Sequence, residues 1–186
     1  MKEILFFILI FLELLCLSYI IIAYFYPRYR FWPAKTHKPI RNYVLMFWSY
    51  LFLIAVVFLS ILDSGRILFP AKGISAVGMV MFVTGLGLYI WCCLHLNKKQ
   101  QFGFKDRLIV SGPYRYVRNP GYIADMLIFT GYALLCNSPY VFVILVVFSL
   151  VILLFPLIEE PWLSEQYGED YVKYYNGVPR YIPRLF

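Results

Sequence analysis

Long apolar runs alternate with short polar and basic segments along the whole chain. Five apolar runs stand out, at about 4–26, 43–62, 74–96, 121–136 and 139–158. The first three have the roughly 20 residues that a helix needs to cross the hydrocarbon of a bilayer. The last two runs are shorter, and only Asn137-Ser138-Pro139 separates them, which predicts a tight helical hairpin. We therefore predict an all-α, polytopic membrane protein with about five transmembrane helices.

The C-terminal tail has a different pattern, because polar and aromatic residues replace the apolar runs. Tyr171, Tyr174 and Tyr175 have the spacing of one helical face. Gly177 and Pro179 are expected to end this helix, since both residues interrupt helices. We predict a short amphipathic helix that lies over the cytoplasmic mouth of the bundle.

Basic residues are concentrated on one side of the predicted bundle. They occupy the loops at about 27–42 and 97–120 and the tail, whereas the other side has only Lys2, Arg66 and Lys72. The positive-inside rule then predicts an external or lumenal N-terminus and a cytoplasmic C-terminus. The membrane would be a bacterial or archaeal plasma membrane or the endoplasmic reticulum.

Composition supports a single membrane domain. The chain has 186 residues, of which 62% are hydrophobic and 20% aromatic, and its mean hydropathy is +0.71. The net charge of +7 lies between apolar runs, which favours anionic lipid headgroups as partners rather than nucleic acid. The four cysteines lack the spacing of metal ligands, so no metal site is predicted. The sequence does not indicate an oligomeric state.

A polar loop precedes the fourth apolar run. Asn119 before Pro120 favours an extended or turn conformation, and Pro120 suits the first turn of a new helix. The free N–H groups of that helix start could bind a carboxylate or phosphate, with Arg118 adding positive charge. The alternative is an ordinary helix start beside an arginine that reaches the interface.

Carboxylates within or beside apolar runs are the second candidate feature. Glu159 and Glu160 end the fifth run, where a helix C-terminus disfavours negative charge, so the pair would suit an ammonium or sulfonium ligand. Asp125 follows Tyr122 by three positions, and Glu13 lies inside the first run. An ionisable group in a membrane helix is a functional candidate. The alternative for these residues, except Glu13, is a hydrated carboxylate near the interface.

Gly85 and Gly87 lie inside the third apolar run. No strand precedes them and a third glycine is absent, so they do not form a dinucleotide fingerprint. Close packing of helices through small residues is the favoured interpretation. Direct approach of a cofactor to bare backbone is the alternative.

Together these segments resemble the isoprenylcysteine carboxyl methyltransferase family and the wider group that includes the phospholipid N-methyltransferases. The similar positions are 112–122, Glu159-Glu160 with Leu163, 167–171, Tyr174 and 178–183. The resemblance begins near Gly85, and the first two helices carry no signature. We therefore divide the single domain, 1–186, into N-terminal helices at 1–73 and a methyltransferase-like, cofactor-binding core at 74–186.

The resemblance implies S-adenosylmethionine as the methyl donor and a lipophilic or lipid-linked methyl acceptor. It implies that the adenosyl side of the donor is lined by Leu108, Ile109 and Tyr114. The amino-acid end would be held by Asn119, Pro120, Gly121 and Tyr122, beside Arg118. The cationic portion would face Glu160 and Glu159, and a Gly-x-Gly of the phospholipid branch matches Gly85 and Gly87.

Two departures from the family pattern bear on the acceptor. The family's Arg-His-Pro is here Arg118-Asn119-Pro120, and asparagine does not titrate near neutral pH. Pro156 stands where the isoprenylcysteine enzymes have an arginine that reads the substrate carboxylate. An amine or another lipid-soluble acceptor is therefore at least as well supported as a prenylcysteine carboxylate. An amine must also lose a proton, for which Asp125 and Glu159 are the candidate catalytic bases.

Two other functions remain open at this point. A sterol or steroid reductase that uses NADPH would have a Tyr-x-Gly-Glu pattern where this chain has Tyr122-Ile123-Ala124-Asp125, but Glu159 and Glu160 would repel a nucleotide phosphate. A non-enzymatic membrane scaffold would have no affinity for either cofactor.

Overall fold

The computed structural model describes residues 1–30, 39–65, 67–70, 73–97, 100 and 106–183. Regular structure within these residues is entirely helical, which confirms the prediction of an all-α protein. The helices are α1 (Lys2–Phe25), α2 (Pro39–Leu62), α3 (Ile74–His95), α4 (Pro120–Cys136), α5 (Pro139–Leu154), α6 (Pro156–Tyr167) and α7 (Glu169–Gly177). Single 3-10 turns follow α1 at Pro27–Tyr29 and precede α4 at Gly112–Arg115.

Three helical stretches are long and apolar enough to cross a membrane. They are Lys2–Phe25, Ile74–His95 and Pro139–Tyr167, the last of which joins α5 and α6. Phe47–Leu62 and Pro120–Cys136 are apolar but shorter. The chain is therefore a polytopic membrane protein, and its apolar helices correspond to the five runs seen in the sequence.

The tight hairpin between α4 and α5 is confirmed, and Asn137 explains its geometry. This residue ends α4 in the left-handed conformation, with φ at +49°, which asparagine tolerates better than most residues. Its side chain also pairs with both backbone groups of Phe69, at 2.8 and 2.9 Å. Ser138 then caps α5 by accepting a hydrogen bond from the Val141 amide. The hairpin is thereby fastened to the segment that precedes α3.

Helices α3 and α4 pack with their backbones in close approach. A Cβ atom on Gly85 would lie 2.8 Å from the Ile128 amide nitrogen and 2.9 Å from the Ala124 carbonyl oxygen. A Cβ on Gly131 would lie only 2.5 Å from the Phe82 amide nitrogen. Glycine is required at these positions because any side chain would separate the helices. This closely packed pair contributes lining residues to the site described below.

Side-chain contacts group the helix ends into two opposite ends of the bundle. At one end, Asp63 accepts hydrogen bonds from Lys2 at 3.1 Å and from Ser138 at 2.6 Å. At the other end, Arg30 donates to the Ile158 carbonyl at 3.3 Å and to Glu165 at 3.1 Å. The N-terminus thus lies opposite the segment where α6 begins, as the alternation of apolar runs predicts. The absolute orientation in the membrane stays a prediction.

The fifth apolar run does not end as a single helix at Ile158. Proline has no N–H group to continue a helical ladder, so α5 ends at Leu154 and Pro156 begins α6. Glu159 and Glu160 therefore lie in the first turns of α6, just after the break at Phe155, and the helix continues beyond them to Tyr167. The expectation that this pair ends a helix is wrong, and the argument from an unfavourable helix dipole no longer applies.

Candidate active site

A cavity of about 370 Å³ lies between the loop before α4 and the helices α3, α4, α6 and α7. Its size lies in the range of small-molecule and cofactor sites. Its walls come from the end of α3, the loop before α4, the start of α4, α6 and one face of α7. The lining residues are Tyr89, Cys92, Cys93, Leu96, Gln100, Arg107, Leu108, Ile109, Tyr114, Arg118, Asn119, Gly121, Tyr122, Asp125, Glu159, Trp162, Leu163, Tyr167, Tyr171 and Tyr174.

The 3-10 turn before α4 shapes one wall through Gly112. This glycine has φ at +60°, and the imidazole of His95 would lie 2.3–2.6 Å from a Cβ placed there. Only glycine satisfies both the backbone angle and the close contact. The turn directs Tyr114 into the cavity, and the Tyr174 hydroxyl donates to the Tyr114 carbonyl at 2.6 Å. The turn and α7 therefore form a continuous wall.

The phenols of this wall remain protonated near neutral pH. Burial raises the pKa of Tyr114 above that of an exposed tyrosine. Burial likewise raises the pKa of Tyr174, although Arg118 partly opposes that shift. Both hydroxyl groups are thus neutral hydrogen-bond donors rather than candidate bases.

The start of α4 meets the cavity through Gly121 and Tyr122. The first amides of a helix have no acceptor within it, so this helix start carries partial positive charge. Asn119, at the N-cap position, does not bond these amides with its side chain; its amide group donates to Glu160 at 3.1 Å instead. Pro120 is the buried first residue of α4 and is not part of the cavity lining.

Glu160 lies beside the cavity wall rather than in it. Its side chain is 5% exposed and accepts hydrogen bonds from Arg118 at 3.2 and 3.3 Å and from Asn119. Arg180 donates to both of its oxygens, at 3.1 and 2.5 Å. The bond with Glu160 raises the pKa of Arg180 above its usual value. Two arginines thus neutralise this carboxylate.

Glu159 has the opposite environment, although it is the adjacent residue. It lines the cavity and accepts a hydrogen bond from the Tyr122 hydroxyl at 2.5 Å. Phe155 stacks on the Tyr122 ring, with ring centroids 6.5 Å apart and an interplanar angle of 18°. Asp125, about one turn along α4, lines the same cavity. Within the described residues neither Glu159 nor Asp125 forms an ion pair.

Most residues singled out in the sequence meet in this cavity. Those in the lining are Leu108, Ile109, Tyr114, Arg118, Asn119, Gly121, Tyr122, Asp125 and Glu159. Those outside it are Gly85, Gly87, Pro120 and Glu160. Gly85 packs against α4, whereas the space around Gly87 is open. The close-packing interpretation thus describes Gly85 but not Gly87.

Sequence reasoning missed the wall that α3 contributes. Tyr89, Cys92, Cys93 and Leu96 line the cavity together. Their spacing of three, four and seven positions is that of one helical face, which was the available signal. An apolar helix face is also the ordinary appearance of a buried helix, so the signal alone does not indicate a site.

Comparison with known proteins adds one match. Residues 74–170 fit the family model described as phospholipid methyltransferase. This range begins with α3 and ends in the first turn of α7, so it includes most of the cavity walls. No curated protein matches the chain.

Proposed function

The chain belongs to the phospholipid methyltransferase family, and from this premise we propose that it methylates the amine of a membrane lipid with S-adenosylmethionine as donor. Membership supports a membrane methyltransferase that acts on lipids. The donor and the amine acceptor are our proposal. The observation that carries it is the pair of carboxyls, Asp125 and Glu159, which face one cavity without a cationic partner in the described part of the chain.

The cavity walls suit the two parts of the donor. Leu108, Ile109 and Tyr114 offer apolar and aromatic contact to an adenosyl group. The amides at the start of α4, at Gly121 and Tyr122, offer hydrogen bonds to a carboxylate. In this proposal Pro120 fixes the start of α4 and does not touch the donor. Gly85 lets α3 pack closely against α4.

Glu159 is the proposed partner of the donor's positive charge. It lines the cavity, and the bond from Tyr122 fixes its orientation. Glu160 was the expected partner, but Arg118 and Arg180 already neutralise it. Within this proposal Glu160 and Arg118 therefore serve the site indirectly.

The proposed catalysis depends mainly on alignment. When bound, the donor supplies a methyl group that is already activated for displacement. The chain must then hold the acceptor in line and exclude water, which are recognised contributions to rate. An ammonium acceptor must first lose a proton, and Asp125 is the proposed base because it shares the cavity with Glu159.

Charge favours an amine over a carboxylate acceptor. Close to Asp125 and Glu159 an amine would be attracted and a lipid carboxylate repelled, while Arg107 reaches the lining from the loop before α4. The arginine with which the isoprenylcysteine enzymes read a carboxylate is absent, since Pro156 occupies that position. Arg118 does not replace it, because Glu160 and the tail carbonyls use its hydrogen bonds.

The test is transfer of a labelled methyl group by the purified protein in vesicles. One vesicle set contains phosphatidylethanolamine, a second contains phosphatidylglycerol only, and a third adds a prenylcysteine acid. We expect label in the amine lipid alone, and roughly a 100-fold lower rate for Asp125→Asn. Label in the prenylcysteine ester, with none in the amine lipid, would overturn the proposed acceptor.

A further inference from the structure

The end of the chain crosses the loop before α4 as a strap, which we define as residues 169–183. Backbone amides of Arg118 and Asn119 donate to the carbonyls of Pro179 and Arg180, at 2.8 and 3.2 Å. The strap also supplies Tyr171 and Tyr174 to the cavity wall. The position of the strap therefore determines whether that wall exists.

Arg118 is the main side chain that holds the strap. It donates to the carbonyls of Tyr175 and Val178, at 2.5 and 2.9 Å. Its guanidinium lies 3.9 Å above the centre of the Tyr175 ring. Such stacked and bidentate contacts require a guanidinium in a fixed orientation. The carboxylate of Glu160 provides that orientation from the other side, at 3.2 Å.

Glu160 has a second contact with the strap, in addition to the one through Arg118: its ion pair with Arg180. This arginine belongs to the strap, and its guanidinium pairs with both carboxylate oxygens. Glu160 thus joins three segments that are distant in sequence: the loop through Arg118 and Asn119, α6 itself, and the strap. Four donor atoms surround Oε1 of Glu160 and a fifth, from Arg180, reaches Oε2. The carboxylate is also buried and lies outside the cavity lining, so its charge is satisfied within the protein.

We propose that Glu160 is a positioning residue, which closes the strap over the cavity through Arg118 and Arg180 and does not touch the methyl donor. The proposal rests on the proposed function, since it assigns a different task to each residue of the Glu159-Glu160 pair. Glu159 meets the bound molecule, and Glu160 assembles the wall around it.

Loss of the Glu160 contacts should therefore weaken the ligands of the cavity in a characteristic pattern. If only a fraction of molecules has the strap closed, every ligand of the cavity binds more weakly by that same fraction. Loss of a direct charge contact would instead weaken only ligands that carry the matching charge. S-Adenosylhomocysteine carries an ammonium group, whereas 5′-methylthioadenosine keeps the adenosyl part without it. The two ligands therefore separate the two roles.

The binding test compares Glu160→Gln with Glu165→Gln, a control on the same helix. The side chain of Glu165 pairs with Arg30, and among the described residues it has no hydrogen bond or ion pair with the strap. We expect Glu160→Gln to weaken both ligands by the same factor, about tenfold, and the control to weaken neither. Arg180→Gln removes one of the two routes from Glu160 to the strap, so it should weaken both ligands equally but by a smaller factor. The double variant should bind no more weakly than Glu160→Gln, because Arg180 acts through Glu160. A loss confined to S-adenosylhomocysteine would overturn the proposal.

A second measurement needs no ligand. Amide hydrogen exchange at Arg118 and Asn119 reports the two backbone bonds to the strap. We expect faster exchange there in Glu160→Gln, with exchange in α4 and α5 unchanged and the Glu165→Gln control unchanged throughout. Unchanged exchange at Arg118 and Asn119 would overturn the proposal. If the unaltered protein binds neither ligand, the proposed function fails, and the exchange result alone decides the role of Glu160.

Discussion

At the residue scale, adjacent carboxylates in one short helix have different environments. A rotation of about 100° per residue separates neighbours on a helix, so Glu159 faces the cavity while Glu160 faces the loop and the strap. The sequence pointed to both residues by type and by resemblance. It could not separate them, because the arginines that neutralise Glu160 lie 42 positions before it and 20 positions after it.

Substitution of Glu159 should alter the binding of charged ligands selectively. Glu159→Gln keeps the side-chain shape and removes the charge that would face the donor's cationic portion. We expect roughly tenfold weaker binding of S-adenosylhomocysteine and unchanged binding of 5′-methylthioadenosine by calorimetric titration. Tyr122→Phe is the matched control for orientation, since it removes only the hydrogen bond to Glu159. Equal losses for both ligands in Glu159→Gln would contradict the assigned contact.

We expect Glu13 to lower the stability of the fold and to have no role in methyl transfer. Its side chain is 2% exposed in α1, and neither oxygen has a hydrogen-bond partner among the described residues. An unsatisfied buried polar group costs about 1–3 kcal/mol, which an apolar side chain of similar size avoids. Glu13→Leu is therefore expected to raise the thermal unfolding midpoint in detergent with methyl transfer unchanged. A stable Glu13→Leu protein without activity would show that the carboxyl has a function.

At the scale of elements, proline and glycine decide where helices end and how closely they pack. The hairpin at Asn137 was predictable, because a short polar interruption between two apolar runs is typical of a turn between helices. The break at Phe155 was not predicted, because apolar residues continue through it and form one unbroken run in the sequence. In the sequence, Pro156 indicates only that the family's arginine is absent. In the structure this proline also interrupts the helical ladder between α5 and α6.

Two glycines of α3 provide a matched pair for the packing of α3 on α4. Gly85→Ala would place a Cβ 2.8 Å from backbone and side-chain atoms of α4, whereas nothing lies within 4 Å of the same atom at Gly87. We expect Gly85→Ala to lower the free energy of unfolding by roughly 1–3 kcal/mol and Gly87→Ala to change it by less than about 0.5 kcal/mol. Unfolding in increasing denaturant measures both. Loss of donor binding in a stable Gly87→Ala protein would instead support a contact between this residue and the cofactor.

At the scale of the whole molecule, all the candidate chemistry lies at one end of the bundle. The cavity, the strap and the Arg30 contact with α6 share that end, while Lys2, Asp63 and Ser138 mark the other. This relative arrangement followed from the alternation of apolar runs. The convergence of the tail with the loop before α4 did not follow, because no local pattern encodes contacts between segments about 60 residues apart.

Orientation in the membrane can be tested with single cysteines at the two ends. The basic loops predict that the strap faces the cytoplasm and that the turn after α2 faces outward. We expect an impermeant maleimide to label Ser64→Cys on intact cells and to label Glu169→Cys only after permeabilisation; both positions are exposed. The parent protein, with its four native cysteines, gives the background. The reverse pattern would show that the cavity opens outward.

The central claim is that the cavity binds the methyl donor, and titration of the purified protein tests it most directly. Calorimetric titrations with S-adenosylhomocysteine and with NADPH would be made on the unaltered protein and on Glu159→Gln. The account predicts saturable binding of S-adenosylhomocysteine alone, weakened in the variant while its fold is retained. Binding of NADPH alone, or of neither ligand to folded protein, would contradict the account.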